Sequence, residues 1–260
     1  DSYDKAVFLT AARMGEVVGV SESTVVRFAM SLGYKGYPEF QNALEELVRN
    51  KLNSVQRMDV TYGRISQSEI LETVLKSDAD KLKTTLEKID HSAFELAVDT
   101  ILGARNIYIV GIRSCAPLAS FLSFYLNLMF DNVRLLHTNS SSEIFEQMVR
   151  INEDDVIIGI SFPRYSKRTL QAFEFARKNN VNTIAVSDHP KAPLMTFADC
   201  KLAVKSDVLG IVDSLVAAQS LINSLIIALS IKRKDDVERR LKKLEKLWNE
   251  YNVYEDNDEI

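Results

Sequence analysis

The chain has 260 residues, is 46% hydrophobic and 26% charged, and carries a formal net charge of -4 at pH 7, which fits an ordinary protein with room for a small and a larger domain. The acidic balance argues against a general polyanion-coating protein, and the absence of a signal peptide or a run of about eighteen apolar residues predicts a cytoplasmic protein with no membrane partner. Cys115 and Cys200 match no metal-ligand or redox spacing, so we expect no metal and no cofactor.

The first predicted elements form a helix-turn-helix. Thr10 is a good N-cap for a short helix, Gly19 supplies the permissive backbone of a sharp turn, and Ser21 is the natural N-cap of a second helix. Helical periodicity places four apolar residues on the inner face of that second helix: Val25, Phe28, Ala29 and Leu32. Hydroxyl groups and cations near the start of this helix can hydrogen-bond to base edges in the DNA major groove. The predicted DNA contacts are Ser21, Glu22, Ser23, Thr24, Arg27 and Lys35.

An ordinary helical hairpin with a solvated outer face is the alternative, because helix-turn-helix patterns are short. Net charge does not decide between them, since the first sixty residues hold seven Lys/Arg and eight Asp/Glu. A module without a basic excess binds DNA weakly as a monomer, and duplicated half-sites in a dimer would supply the missing affinity.

The helix-turn-helix pattern and one further helix, Tyr37 to Leu52, predict a first domain over 1–53. The polar, irregular stretch that follows predicts a linker over 54–67. Ser68 then caps a helix that continues through Leu86, and a second helix begins at Ser92 and ends at Gly103.

Short apolar runs then alternate with helical stretches. The five predicted strands are Ile107–Val110, Val133–Leu136, Val156–Ile160, Thr183–Val186 and Lys201–Val204. The predicted helices between them are Ser114–Phe130, Ser142–Arg150, Ser166–Asn179 and a brief one near Ala192–Phe197. Strands this apolar, separated by helices, belong in a parallel sheet covered on both faces. We therefore expect an α/β domain with a five-stranded parallel sheet flanked by helices.

Ligands of such sheets bind where the carboxyl ends of strands lead into helix N-termini. Two of these loops, Gly111 to Ser114 and Ser161 to Thr169, carry hydroxyls and cations that suit an anion such as phosphate. A third polar loop, Thr138 to Glu143, can hydrogen-bond a polyol, so a sugar phosphate is the predicted ligand. The alternative is that Ser114, Ser142 and Ser166 serve only as N-caps and that the cations are solvated. Cations at the positive end of a helix are unfavourable unless an anion offsets them, so their presence favours the ligand-binding interpretation.

The final helix pair predicts packing surfaces. Leu215 to Ile231 is too apolar for an exposed surface, so it lies in the core or in a subunit interface. Lys232 to Tyr251 has an apolar stripe among Lys, Arg and Glu, which is typical of an amphipathic packing helix. These helices would matter most if the chain were an interaction module that binds neither DNA nor sugar.

The run Val20 to Phe28, followed by Leu32 to Tyr37, resembles the signature of the RpiR family of bacterial transcriptional regulators. Members join an N-terminal helix-turn-helix domain to a sugar isomerase (SIS) domain that senses phosphosugars. The resemblance implies a small all-α helix-turn-helix domain, a SIS domain over 68–251 and a tail over 252–260. It also implies binding of double-stranded operator DNA as a homodimer or tetramer, with a phosphosugar effector that changes operator affinity.

The resemblance also carries over to effector residues. Ser114, Ser161 and Ser166 match hydroxyl positions of the SIS loops, and the further expected contacts are Arg113, Ser142 and Arg164. The family loop Ser-x-Ser-Gly-x-Thr keeps its first Ser here, whereas Pro163, Arg164 and Ser166 replace its later positions. Members usually have one more helix before Thr10, and we expect that first family helix to be absent.

Some SIS domains isomerise phosphosugars, which requires a general base, usually Glu or His. Glu143, Asp188 and His189 lie near the predicted rim, so a SIS-type phosphosugar isomerase or related enzyme is the alternative function. A helix-turn-helix domain fused to the SIS domain favours a phosphosugar sensor over an isomerase. We therefore expect the chain not to be an enzyme.

Overall fold

The computed structural model describes residues 9–49, 55, 58, 67–137, 140–209 and 212–254. The chain divides into two compact units, the first formed by Asp1–Ser77 with Asp207–Ser214 and the second by Asp78–Ser206 with Leu215–Ile260. Most of the predicted linker, the segment before Leu9 and the end of the predicted tail lie outside the described residues.

The first unit contains the predicted helix-turn-helix. Its helices are α1 (Ala11–Val18), α2 (Glu22–Ser31) and α3 (Tyr37–Arg49). Both predicted N-caps are confirmed, because Thr10 Oγ1 accepts from the Arg13 N–H at 3.2 Å and Ser21 Oγ accepts from the Thr24 N–H at 3.3 Å. Gly19 ends α1 in the left-handed region with φ 71°, as the sharp turn requires.

The core of this helical unit is small. Val25 and Ala29 are buried one turn apart on α2, against the buried Tyr37 and the half-buried Phe40 of α3. Leu32 is 52% exposed, so the prediction that it shares the inner face is wrong. Phe28 is 54% exposed, but its ring packs edge-on against Phe40 of α3, with 5.9 Å between the ring centroids. The buried residues of α2 form the single row of Val25 and Ala29, which is narrower than the predicted stripe.

Two further elements contribute residues to this unit, namely the first part of the next helix, up to Ser77, and a hairpin whose strands lie within Asp207–Ser214. Helix α4 spans Ile70–Lys88 after a short 3-10 turn at Gln67–Glu69, in agreement with the helix predicted from Ser68. An antiparallel hairpin that the sequence did not predict pairs Asp207–Leu209 with Val212–Ser214.

The second unit is built on a five-stranded, all-parallel sheet, and the predicted fold class is confirmed. Its strands are β1 (Ile107–Gly111), β2 (Val133–Leu135), β3 (Val156–Ile160), β4 (Asn182–Ser187) and β5 (Cys200–Ala203). They lie in the order β2-β1-β3-β4-β5. Every residue of β1 and β3 is buried, as expected for central strands covered on both faces.

Helices cover both faces of this sheet. They are α5 (His91–Gly103), α6 (Ala116–Asn127), α7 (Ser141–Gln147), α8 (Lys167–Lys178), α9 (Val216–Lys232) and α10 (Lys234–Glu250), with a 3-10 turn at Pro193–Phe197. One face packs on α5, α6 and α9, where Ile101, Leu122 and Leu225 are fully buried. The other packs on α7 and α8, where Ile144 and Phe173 are buried. The buried side of α9 therefore belongs to the core of its own unit.

Candidate functional site

The strand order creates a crevice between β1 and β3. The two strands are neighbours, with Gly111 paired to Ile160, but β1 leads through α6 to one side of the sheet and β3 leads through α8 to the other. In open parallel sheets, ligands bind outside the carboxyl ends of the strands at such a switch point. The loops after β1 and β3, which carry most of the predicted effector residues, border this crevice.

The loop after β1 presents an arginine and a serine. Arg113 and Ser114 are exposed in a 3-10 turn over Arg113–Cys115, and neither side chain has a hydrogen-bond partner among the residues that the structure describes. The N-cap position of α6 is Cys115, without a side-chain cap, so the alternative of Ser114 as an N-cap is wrong. The turn is tight because a Cβ on Gly111 would lie 2.7 Å from the Cys115 carbonyl oxygen. The sequence gives no local signal for this close approach.

The loop after β3 leads into the N-terminus of α8. Ser161 is buried, and Ser166 is the N-cap of α8, its Oγ accepting from the Thr169 N–H at 3.4 Å. Arg164 lies between them, exposed, with a left-handed φ of 67°. Thr169 Oγ1 is fully buried and has no hydrogen-bond partner in the described part of the chain. The loop thus brings hydroxyls, a guanidinium and free helix N–H groups to one place.

The first turn of α8 is cationic. Lys167 is exposed and Arg168 is half-buried, and neither side chain has an ion-pair partner within the described ranges. The N-terminus of a helix carries a partial positive charge, so adjacent cations destabilise the helix unless an anion offsets them. This turn is therefore electrostatically suited to bind an anion.

A polar network ties this loop to the end of β4. The Tyr165 hydroxyl donates to the carboxylate of Asp188 at 3.0 Å, and the Ser187 hydroxyl donates to the Ser161 carbonyl oxygen at 2.6 Å. Sequence reasoning missed this network, because it joins residues that are 23 and 26 positions apart. It holds the loop in one conformation.

The loop after β2 agrees only partly with prediction. Helix α7 begins at Ser141, and Ser140 occupies the N-cap position without a side-chain cap bond, so Ser142 is not the N-cap. Ser142 is exposed, and its Oγ lies 2.8 Å from Ser140 Oγ. Residues 138 and 139 of the predicted polyol loop lie outside the described residues.

The three candidate general bases lie after the end of β4 and in the first turn of α7. Asp188 accepts the Tyr165 hydroxyl, and the Nδ1 of exposed His189 accepts the Lys191 N–H at 3.0 Å in a turn. Glu143 is exposed in the first turn of α7. Across the described ranges, no cluster of three His, Cys, Asp or Glu residues could hold a metal.

The predicted DNA-reading residues lie on the exposed surface of the first unit. Ser21, Glu22, Ser23, Thr24, Arg27 and Lys35 are all exposed. The Ser21 hydroxyl lies 2.9 Å and 2.8 Å from the hydroxyls of Ser23 and Thr24. Arg27 Nε donates to the Ser23 carbonyl oxygen at 3.3 Å, and the two terminal nitrogens of this exposed guanidinium have no partner among the described residues.

The turn between α1 and α2 depends on a glycine that sequence reasoning did not single out. A Cβ on Gly15 would lie 2.6 Å from the Val20 carbonyl oxygen, while the Val20 N–H donates to the Gly15 carbonyl at 2.9 Å. The two helices therefore approach too closely for any side chain at this position.

Neither unit contains, among its described residues, a helix long and apolar enough to cross a membrane.

Two family models match the chain. One is described as a helix-turn-helix domain of the rpiR family and matches residues 1–51, and the other is described as a SIS domain and matches residues 100–228. The first covers the helix-turn-helix, and the second covers all five strands and the crevice at their carboxyl ends.

Individual relatives agree with these models. An uncharacterised HTH-type transcriptional regulator of Clostridium perfringens is 26% identical over 205 residues, which is 78% of this chain and 72% of that protein. The sugar isomerase domain of an RpiR transcription factor from Sphaerobacter thermophilus is 25% identical, with a TM-score of 0.65 over 68% of this chain and 99% of that one. The fold is also shared with the NanR protein of Vibrio vulnificus, solved with ManNAc-6P, at 18% identity and a TM-score of 0.62 over 95% of this chain and 88% of that one.

Proposed function

This chain belongs to the rpiR family of helix-turn-helix transcriptional regulators that carry a SIS domain, and we propose that a phosphosugar bound in the β1/β3 crevice controls its affinity for operator DNA. It is a DNA-binding regulator with an effector-sensing SIS domain. We further propose that the effector is a phosphosugar, which residues contact it and which oligomer binds DNA.

The unpartnered cationic turn of α8 at the switch point is the observation that carries this proposal. The phosphate would bind to the free N–H groups of that turn, with Lys167 and Arg168 beside it. Ser161 and Ser166 would add hydroxyl contacts, and Ser114 would contact the ligand from the loop after β1. Ser142 would reach the polyol from the side of β2.

The DNA contact would come from the exposed face of α2. Ser23, Thr24 and Arg27 are the readers of base edges in this proposal, while the Ser21 hydroxyl organises the start of the helix through its own hydrogen bonds. Glu22 and Lys35 would lie at the edges of the contact. Because the six-residue set has no strong basic excess, operator binding requires two copies on duplicated half-sites.

A homodimer or tetramer would provide these two copies. On the second unit, Leu96 of α5 and Ile227 and Ile231 of α9 are 53%, 58% and 69% exposed, which is unusual for large apolar side chains on a helix that is otherwise core. These exposed residues support an apolar contact between subunits. A protein that binds operator DNA and a phosphosugar would act in the cytoplasm.

We also infer that the chain senses the phosphosugar without converting it. The relatives are named transcriptional regulators, and Asp188, a candidate base that follows the end of β4, already accepts a hydrogen bond from Tyr165.

The test combines two measurements on the full chain. Thermal shifts are recorded with matched phosphorylated and unphosphorylated sugars, and operator affinity is measured by fluorescence anisotropy on a duplex selected from a random library. We expect stabilisation by at least one sugar phosphate, none by its unphosphorylated partner, and a change in operator affinity when that phosphate is added. Stabilisation without any change in operator affinity overturns the regulatory link, and turnover of the bound sugar overturns the sensor.

A further inference from the structure

Helix α4 passes from one unit of the chain into the other. It spans Ile70–Lys88, and the division between the two units falls inside it, between Ser77 and Asp78. Its first part belongs to the unit that contains the helix-turn-helix, and its second part belongs to the unit that contains the sheet. Because a helix is a stiff element, a displacement of the second part is carried along the helix into the DNA-binding unit.

The second part of α4 is hydrogen-bonded to the segment that follows β5. The Lys205 N–H donates to Thr85 Oγ1 of α4, with 2.9 Å between the two atoms. Strand β5 ends at Ala203, and the chain enters the first unit again at Asp207, two residues after Lys205. The bond therefore joins two chain segments that each lead into the unit with the helix-turn-helix.

Ser187 connects the segment after β5 to the loop after β3. Its hydroxyl donates to the Ser161 carbonyl oxygen at 2.6 Å, and its own carbonyl oxygen accepts from the Val204 N–H at 2.9 Å. All three residues are buried, so water does not replace these bonds when they are stretched. A packed interior resists deformation, and we therefore expect the loop after β3 and the ends of β4 and β5 to move as one piece.

We propose that Thr85 couples the effector crevice to the DNA-binding unit, because its hydroxyl joins this piece to α4. An anion at the N-terminus of α8 contacts the loop that begins at Ser161 and favours the loop position in which its contacts are best. Ser187 and Val204 carry that displacement to Lys205, and Thr85 carries it to α4. Thr85 is thus a positioning residue that acts through α4. This inference rests on the proposed function, since it names the route by which the effector in that crevice acts on operator affinity.

The test measures the coupling between effector and operator, which a purely structural role of Thr85 would not change. The coupling is the ratio of operator affinities without and with a saturating probe, measured on the full chain by fluorescence anisotropy. The probe is whichever of glucose 6-phosphate, fructose 6-phosphate and glucosamine 6-phosphate stabilises the parent protein most in a thermal-shift assay. We expect a ratio of at least about fivefold, in either direction, for the parent protein.

Thr85→Val keeps the shape of the side chain and removes the acceptor. Lys205 is exposed, so water can accept its N–H and the variant is expected to fold. We expect its coupling ratio to fall below about twofold. Its affinity for the probe in the absence of DNA is expected to stay within about twofold of the parent value, because the crevice is unchanged.

Two variants control for the substitution itself. Thr85→Ser keeps the hydroxyl and is expected to keep the parent ratio. Thr84→Val makes the same change at the neighbouring half-buried position of α4, whose hydroxyl has no partner among the described residues, and is also expected to keep the parent ratio. The inference is overturned if Thr85→Val keeps the parent ratio, if Thr84→Val loses it equally, or if Thr85→Val loses affinity for the probe itself.

A second variant breaks the same route at another link. Ser187→Ala removes the hydrogen bond to the Ser161 carbonyl and is expected to reduce the coupling ratio, and the double variant with Thr85→Val is expected to lose no more coupling than the stronger single variant. Additive losses would show two separate routes and overturn the inference. These outcomes concern the variants alone. Absence of stabilisation of the parent protein by all three probes, or a parent ratio of one, overturns the proposed function as well.

Discussion

The Tyr165 hydroxyl donates to the carboxylate of Asp188, with distances of 3.0 and 3.2 Å to its two oxygens. Tyr165 lies in the loop after β3, and Asp188 follows the last residue of β4. The hydrogen bond therefore spans two neighbouring strands at the edge where the effector would bind. It fixes the loop that carries Arg164 and Ser166, so that binding does not have to order this loop.

This pair predicts a measurable coupling energy. Tyr165→Phe removes the donor and Asp188→Ala removes the acceptor of the same charge-assisted hydrogen bond, so the double variant is expected to lose less stability than the sum of the single variants, by about 1–2 kcal/mol. Urea unfolding of the four proteins measures this difference. Tyr125→Phe, at a hydroxyl without a described partner, is the control, with an effect within about 0.5 kcal/mol. Strictly additive losses would contradict the coupling.

The sequence predicted the sheet well because its signals are local. Apolar runs such as Val156–Ile160 and N-caps such as Ser21 are readable within a few residues, and both are confirmed. The 3-10 turn that takes Ser114 out of the N-cap position cannot be predicted from local sequence, because it depends on a close approach of the Cys115 carbonyl to Gly111, where a side chain would not fit. Local periodicity also overestimated the inner face of α2 at Leu32, since packing against the other helices decides which residues are buried.

Long-range polar pairs escaped sequence reasoning for the same reason. Tyr165 and Asp188 are 23 residues apart, and Arg105 and Asp155 are 50 apart, so no pattern along the chain links them. The two hairpin strands over 207–214 have only three residues each, which is too short for a period of two to be recognised.

Asp155 predicts a specific pH dependence of stability. Its buried carboxylate accepts from Arg105 at 2.7 Å, from Asn106 at 2.8 Å and from the Asn152 N–H at 3.0 Å. Burial by itself raises the pKa of Asp155, but these hydrogen bonds outweigh it and leave the pKa below its ordinary value. A carboxyl group whose pKa is lowered in the folded state stabilises the fold above its unfolded pKa, near 3.9, and loses that contribution as pH falls through the folded pKa.

Asp155→Asn is therefore expected to lower the free energy of unfolding by about 2 kcal/mol at pH 7, because an amide donor then faces the Arg105 donors. The difference from the parent protein is expected to shrink progressively below about pH 4. Urea unfolding of both proteins between pH 7 and pH 3 measures it. Asp154→Asn, on the exposed neighbouring residue, is the control. If the difference in unfolding free energy between the two proteins stays constant down to pH 3, the charge of Asp155 does not contribute to stability.

Gly15→Ala is expected to damage the DNA-binding unit selectively. The added Cβ would lie 2.6 Å from the Val20 carbonyl oxygen, and backbone must move to relieve the clash, at about 1–3 kcal/mol. Operator affinity should fall sharply, while stabilisation by the effector is retained. Gly36→Ala is the matched control, because its Cβ would meet only Pro38 at an ordinary 3.7 Å. Equal operator affinities of the two variants would contradict the proposal that DNA binding depends on the tight turn at Gly15.

Arg27→Ala is expected to weaken operator binding by about 1–3 kcal/mol, if the terminal nitrogens of its guanidinium bind a base edge as proposed. Arg27→Lys separates base reading from phosphate contact, since lysine keeps the charge and loses the bidentate geometry. Anisotropy titrations on the selected operator and on single-base variants, at several salt concentrations, measure both effects. Loss of affinity that is uniform across sequences and is rescued by lysine would assign Arg27 to a phosphate contact instead.

Ser114→Ala tests the crevice from the side of β1. The Ser114 hydroxyl has no described intramolecular partner, so its removal leaves the fold intact and deletes only a contact to the ligand. We expect affinity for the effector to fall by about 1 kcal/mol, roughly fivefold, with effector-free operator affinity unchanged. Ser120→Ala, at an exposed position on α6, is the control and should bind the effector like the parent protein. Thermal shifts with increasing phosphosugar measure the affinities, and identical responses of the Ser114 and Ser120 variants would remove Ser114 from the site.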